Sequence, residues 1–179
     1  LEYAKAGFPV FPCQEKGERV KAPYTKSGFK EATTDEKQIR EWWGKHPHAL
    51  IGVPMGEASG LWCLDIDRPK KEGGPDGFDS LQDLMDKHGA LPSTASQTSA
   101  SGGKHYFFKY AQSDTLSNRA GTIAPKIDIR AHGGYVIMTP SSIVGSGSYH
   151  ADNSFIASLK KPAHAPSWLI ELAHGKKET

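Results

Sequence analysis

Six short apolar runs, each bounded by glycine, proline or charged residues, constrain the fold more than any other feature of the chain. They span Gly7–Pro12, Ala49–Pro54, Leu61–Asp67, Lys104–Tyr110, Lys126–Arg130 and Tyr135–Thr139. Runs of this length, rich in β-branched and aromatic residues, read as strands. Helical patterns lie between and after them. One covers Thr34–Gly44 with Thr34 as its cap, one covers Ser80–His88 and stops at Gly89, and one starts at Ser167 behind Pro166. The alternation predicts an α+β fold. Pro69–Gly77 and Gln112–Pro125 lack periodicity and read as long loops, a common place for substrate contacts.

With 179 residues the chain suits one domain with its own core. It opens at Leu1 inside a helical pattern, as expected for a piece of a longer polypeptide. Cys13 and Cys63 fall in no metal-ligand spacing, so a reducing cytoplasm is the expected setting. No apolar run approaches the ~20 residues of a membrane span, which predicts a soluble protein without a membrane partner. A net charge of +2 is too mild to signal nucleic-acid binding by itself, so phosphate contacts must be local.

The run Leu61-Trp-Cys-Leu-Asp-Ile-Asp67 ends in two acids. The side-chain period of a strand puts Asp65 and Asp67 on one face and Leu64 and Ile66 on the other. Two like charges so close call for a proton or a cation, and hard carboxylate oxygens suit Mg²⁺ or Mn²⁺. Aspartates capping the following turn would give the same string. In Ile127-Asp128-Ile129-Arg130, Asp128 and Arg130 share a face. Should this strand lie beside the first, a third carboxylate and a guanidinium join the pair, the inventory for displacement at phosphorus. A surface Asp128–Arg130 pair is the simpler alternative.

Ser99-Ala100-Ser101-Gly102-Gly103-Lys104-His105 leads straight into the aromatic strand Tyr106-Phe107-Phe108. Its glycines allow close approach of backbone N–H groups to a phosphate, the Ser101 hydroxyl can donate to it, and His105 can reach it from the strand. The spacing is not that of a P-loop. A glycine pair, Gly133-Gly134, is positioned to turn Tyr135 back beside Asp128, either as a stacking surface for a nucleotide or as core. Lys21 and Lys30 are either phosphate contacts or solvated cations. Trp42 and Trp43 are neighbours on a helix, so one is expected to pack and the other to offer a stacking surface.

These strings, in this order, resemble the N-terminal domains of bifunctional primase/polymerases of the archaeo-eukaryotic primase superfamily, found in phages, prophages and plasmids. The resemblance rests on GFPVFPC, KAP followed by GFKEATTD, WW with Pro47, ALIGVPMG, SGLWCLDID, the later Leu-Pro-x-Thr, SGGKHYFF, and IDIRAHGGYV ending in PSS, and it spans nearly the whole chain. It implies an RRM-like palm sheet packed with an N-terminal α/β subdomain. It implies two Mg²⁺ or Mn²⁺ ions on Asp65, Asp67 and Asp128, and catalytic roles for these acids and His105. It further implies nucleotide binding by Ser101 and His105, with Arg130 at the position of the family's usual arginine. From the residues alone, Gly102, Gly103, Tyr135 and Lys21 join that nucleotide-binding set. Ala131-His132 stands where many members begin with glycine, which makes His132 a candidate extra contact. The implied reaction is template-directed nucleotidyl transfer on a DNA template and primer from dNTPs or NTPs, with a linked helicase or ATPase domain beyond the chain. Two other readings share the residues: a metal-dependent phosphodiesterase or nuclease, and a non-catalytic single-strand-binding domain showing Tyr106 and Phe108 to bases.

Overall fold

The computed structural model describes residues 1–175. The elements run α1 (Glu2–Lys5), β1 (Phe11–Cys13), α2 (Glu36–Lys45), β2 (Leu50–Pro54), β3 (Leu61–Ile66), α3 (Gly77–His88), β4 (Ser96–Thr98), β5 (Lys104–Lys109), β6 (Arg119–Ala124), β7 (Ile127–Arg130), β8 (Tyr135–Met138), α4 (Phe155–Leu159) and α5 (Ser167–Ala173). All six expected strands are present, as are the three expected helices. The sheets are a three-stranded β1-β2-β8 and a five-stranded β4-β5-β3-β7-β6, with every strand pairing antiparallel. The result is an α+β fold. The small sheet takes β8 from late in the chain, so it is not built from the N-terminal part alone.

Layering follows from the strand period. On one face of the large sheet Trp62, Leu64, Ile66, Phe108, Ile127 and Ile129 pack with Leu81 and Leu84 of α3 and Leu169 and Leu172 of α5. On the other face Leu61, Cys63 and Phe107 pack with Val53, Val136 and Met138 of the small sheet and with Phe155 and Leu159 of α4. Both faces of β3 are thus covered, which is why all six of its residues are buried. Burying each large apolar side chain contributes about 1.5–3 kcal/mol, and the central strands are held from both sides. Phe108 is fully buried and Tyr106 packs in the helix-facing layer. These rings are on the face away from Asp65, so the sheet does not present them to bases as the single-strand-binding reading requires.

Several local expectations change. The cap of α2 is Asp35, whose carboxylate accepts from the N–H groups of Lys37 and Gln38, rather than Thr34. Helix α3 starts at Gly77, capped by Asp76, three residues ahead of the expected Ser80. The segment Gln112–Pro125 is not all loop, because it contains the edge strand β6. Trp42 and Trp43 both pack, against different clusters, and the Trp43 indole N–H donates to the Ala49 carbonyl. Neither is left as a free stacking surface.

The start of α3 fixes the end of β3. Asp67 lies one residue beyond the strand, yet its N–H donates to the Lys126 carbonyl and its carbonyl accepts from the Gly77 N–H, both at 2.9 Å. A Cβ on Gly77 would come 2.5 Å from the Lys126 oxygen and 2.7 Å from the Asp67 oxygen. Both obstacles are backbone and cannot swing aside. Gly77→Ala should therefore cost about 1–3 kcal/mol, as overpacking does, and weaken divalent-ion binding by displacing Asp67. Urea denaturation and a Mn²⁺ titration check the two effects, and a variant with unchanged ion affinity would show that Gly77 does not hold Asp67.

Candidate active site

The strand register assembles the site. On β3, Asp65 stands opposite His105 of β5 on one side and opposite Asp128 of β7 on the other. Ligand atoms of Asp65, Asp67 and Asp128 all lie within 4.8 Å of one another. The three acids expected to converge do so. Arg130, two residues along β7, brings Nε to 3.7 Å from Asp65 Oδ2 and Nη2 to 3.5 Å from Asp128 Oδ2.

The electrostatics of the acids differ. Asp65 is largely buried, which works against its charge, but His105, Arg130 and Lys21 hold its carboxyl below the usual carboxylate range. Asp67 is pushed up, first by burial and then by the charges of Asp65 and Asp128, with Lys126 and His105 offsetting part of this. One acid is thus held charged and its neighbour resists charging. His105 Nε2 stands 3.1 Å from Asp65 Oδ1, off the line of a good hydrogen bond, and that buried oxygen has no aligned donor. Three hard oxygens, mutual repulsion and an unsatisfied carboxylate oxygen together fit a divalent cation.

Asp65 and Asp67 line a cleft of about 290 Å³ whose walls also include His105, Ser99, Ser101, Asn118, Arg130, Lys21, Tyr135 and Tyr149, and Asp128 stands beside the two acids but outside that lining. Of the expected nucleotide contacts, Ser101, His105, Arg130, Tyr135 and Lys21 line it. Gly102 and Gly103 do not. The Gly102 N–H donates to the Ser99 carbonyl and the Gly103 N–H to Ser99 Oγ, so both amides are used within the loop. Gly103 is glycine for packing, since a Cβ there would sit 2.3 Å from the Ile66 carbonyl oxygen. The loop presents the exposed Ser101 hydroxyl to the cleft.

Tyr135 is half-buried, edge-on to Phe11, and its phenol donates to the Lys21 carbonyl at 2.8 Å. It is a cleft wall held by the small sheet, combining the two readings that the sequence left open. His132 is stacked beside Tyr110 and packs against Gly56, and it is not among the residues lining the cleft. Lys30 is exposed and likewise outside the lining. Sequence reasoning missed Asn118, Tyr149 and Gln97, and gave Ser99 no role of its own. Asn118 Oδ1 accepts from the Ala131 N–H at 2.8 Å, and a Cβ on Gly134 would collide with its amide, so the two residues lock the turn above Asp128. The pairing Asn118–Gly134 is a signal that a sequence shows only once the two segments are known to meet.

An antiparallel α+β protein with three convergent carboxylates and a flanking guanidinium in an open cleft has the make-up of divalent-cation phosphoryl chemistry. Comparison with protein families identifies which kind. The family model of the bifunctional DNA primase/polymerase N-terminal domain matches residues 1–168, and the chain belongs to that family. Membership implies a nucleotidyltransferase with nucleic-acid and nucleotide substrates. Comparison with curated proteins gives no match. No helix among the described residues is long and apolar enough to cross a membrane.

Proposed function

We propose that the chain carries out template-directed nucleotidyl transfer as a DNA primase, a DNA polymerase or both, with two divalent ions, Mg²⁺ or Mn²⁺, held by Asp65, Asp67 and Asp128. The observation that carries the reading is the convergence of three carboxylates within 4.8 Å from two paired strands, in a chain of the primase/polymerase family. In the proposed reaction a 3′-hydroxyl oxygen bonds to the α-phosphorus of a nucleoside triphosphate and pyrophosphate leaves. Bound ions would lower the pKa of the attacking hydroxyl and neutralise the charge that develops on the phosphates. The chain's own groups do the positioning. Lys21 and Arg130 supply positive charge along the cleft, and the Ser101 hydroxyl and His105 meet the triphosphate from the β5 side. Tyr135 forms the wall facing the sugar or base. The template is selected by base pairing, not by the protein.

The five-stranded sheet, with the acids on its central strands β3 and β7 and helices α3 and α5 on one face, supports reading it as an RRM-like palm. The wider setting proposed is phage, prophage or plasmid replication, with residues 1–179 as a catalytic domain linked to a helicase or ATPase region and working in the cytoplasm. The acids and His105 would equally serve a nuclease, so the test must separate making bonds from breaking them. Incubation with a primed template, dNTPs and Mn²⁺ should lengthen the primer. Shortening that proceeds without dNTPs would overturn synthesis in favour of hydrolysis.

A further inference from the structure

The second ring nitrogen of His105 has a partner outside the reaction. Gln97, on β4, is 1% exposed and stands opposite His105 in the β4–β5 register. Its Oε1 accepts from the Thr139 N–H at 2.8 Å, its Nε2 donates to the Ile137 carbonyl at 2.8 Å, and the same Nε2 lies 2.9 Å from His105 Nδ1.

A peptide N–H can only donate and a peptide carbonyl can only accept. The two backbone partners therefore decide which end of the Gln97 amide is nitrogen. Turning the amide over would oppose donor to donor and acceptor to acceptor, losing two buried hydrogen bonds. The group facing Nδ1 is thus an N–H donor, and Nδ1 must offer its lone pair. A neutral imidazole has one proton to place. It is on Nε2, 3.1 Å from Asp65 Oδ1.

We infer that Gln97 is a positioning residue that holds His105 as the Nε2–H tautomer, so that a donor rather than a lone pair faces Asp65 and the cleft. The same amide ties the β4–β5 edge of the large sheet to the backbone of β8 and the residue after it. Ring orientation is thereby linked to the seating of the two sheets. The consequence for nucleotide use rests on the function proposed above; the tautomer does not.

The chain labelled with ¹⁵N-histidine, without metal and at alkaline pH, gives the direct test. The His105 signal is the one missing from a His105→Gln sample. Long-range ¹H–¹⁵N spectra should show Nδ1 bare and Nε2 protonated. In Gln97→Glu a carboxylate still accepts from Thr139 but can no longer donate to the ring, so Nδ1 should gain a proton. In Gln97→Met, which offers neither partner, the preference should relax to a mixture; this variant decides the matter should Gln97→Glu not fold. A wild-type ring protonated on Nδ1, or a folded variant with an unchanged pattern, overturns the proposal. In primer extension, Gln97→Glu should raise the nucleotide KM about tenfold or more, the scale of one lost hydrogen bond to a charged group, while primer–template affinity stays within about twofold. Equal losses in both would make Gln97 merely structural. A wild-type protein that never extends primers would sink the proposed function alone, since the ring spectrum needs no turnover.

Discussion

Asp128→Ala should reduce primer extension by about a thousandfold or more while leaving the protein folded. A bound divalent ion contributes several kcal/mol of transition-state stabilisation, and each 1.4 kcal/mol or so is a factor of ten in rate. The packing of β7 comes from its other residues: Ile127 and Ile129 are fully buried in the helix-facing core, whereas Asp128 points to the cleft side with Asp65. Removing one of three clustered acids also relieves repulsion, so the melting temperature of the metal-free variant should hold or rise. Extension rates at saturating Mn²⁺ and nucleotide, set beside thermal melts, check this. Parallel losses of activity and stability would mean that Asp128 supports the fold rather than the chemistry.

The same residues show what a sequence can and cannot convey about such a site. The strand Leu61–Ile66 was legible because an apolar run ending in alternating acids has few other uses. Its register was not. Nothing local says that Asp65 opposes His105 on one side and Asp128 on the other, because register is set by the packing of both sheet faces. The clamp on Asp67 was equally hidden. With the helix expected from Ser80, Gly77 looked like a loop glycine, whereas it is the close contact that holds the acid in place. Strand β4 reads Ser-Gln-Thr and has no apolar alternation to reveal it, so Gln97 went unnoticed although it orients the site histidine. Asp35 and Thr34 are both good caps, and the choice between them depends on where Ile39 must point to reach the core. Residues that stand out by their own chemistry were legible, and those whose placement depends on a partner far along the chain were not.

Divalent ions should stabilise the fold strongly, and in a pH-dependent way whose sign is set by the acids. Mn²⁺ at about a thousand times its Kd should add about 4 kcal/mol, raising the melting temperature of a chain this size by about 8–16 °C. Asp67 has its folded-state pKa raised by burial and by Asp65 and Asp128. Its contribution to the metal-free protein is therefore present below the unfolded value of about 3.9 and is lost as pH rises through the folded pKa. Asp65 is shifted the opposite way, its carboxyl held low by His105, Arg130 and Lys21 against the effect of burial. Its contribution is present above that unfolded value and fades only as pH falls through its folded pKa. In the metal-free protein the charge of ionised Asp67 is only partly offset, by Lys126 and His105, and a bound ion can offset the rest. Ion binding requires deprotonated ligands, so the Mn²⁺ shift should be full near pH 7 and shrink on acidification, first as Asp67 takes up its proton. Asp67→Asn should leave the metal-free protein as stable or more so at pH 7 and should abolish most of the Mn²⁺ shift. Melts at several pH values with Mn²⁺ or a chelator measure both effects. A Mn²⁺ shift that survives Asp67→Asn, or one that stays the same from pH 7 to pH 4, would place the stabilising ion somewhere other than this cluster.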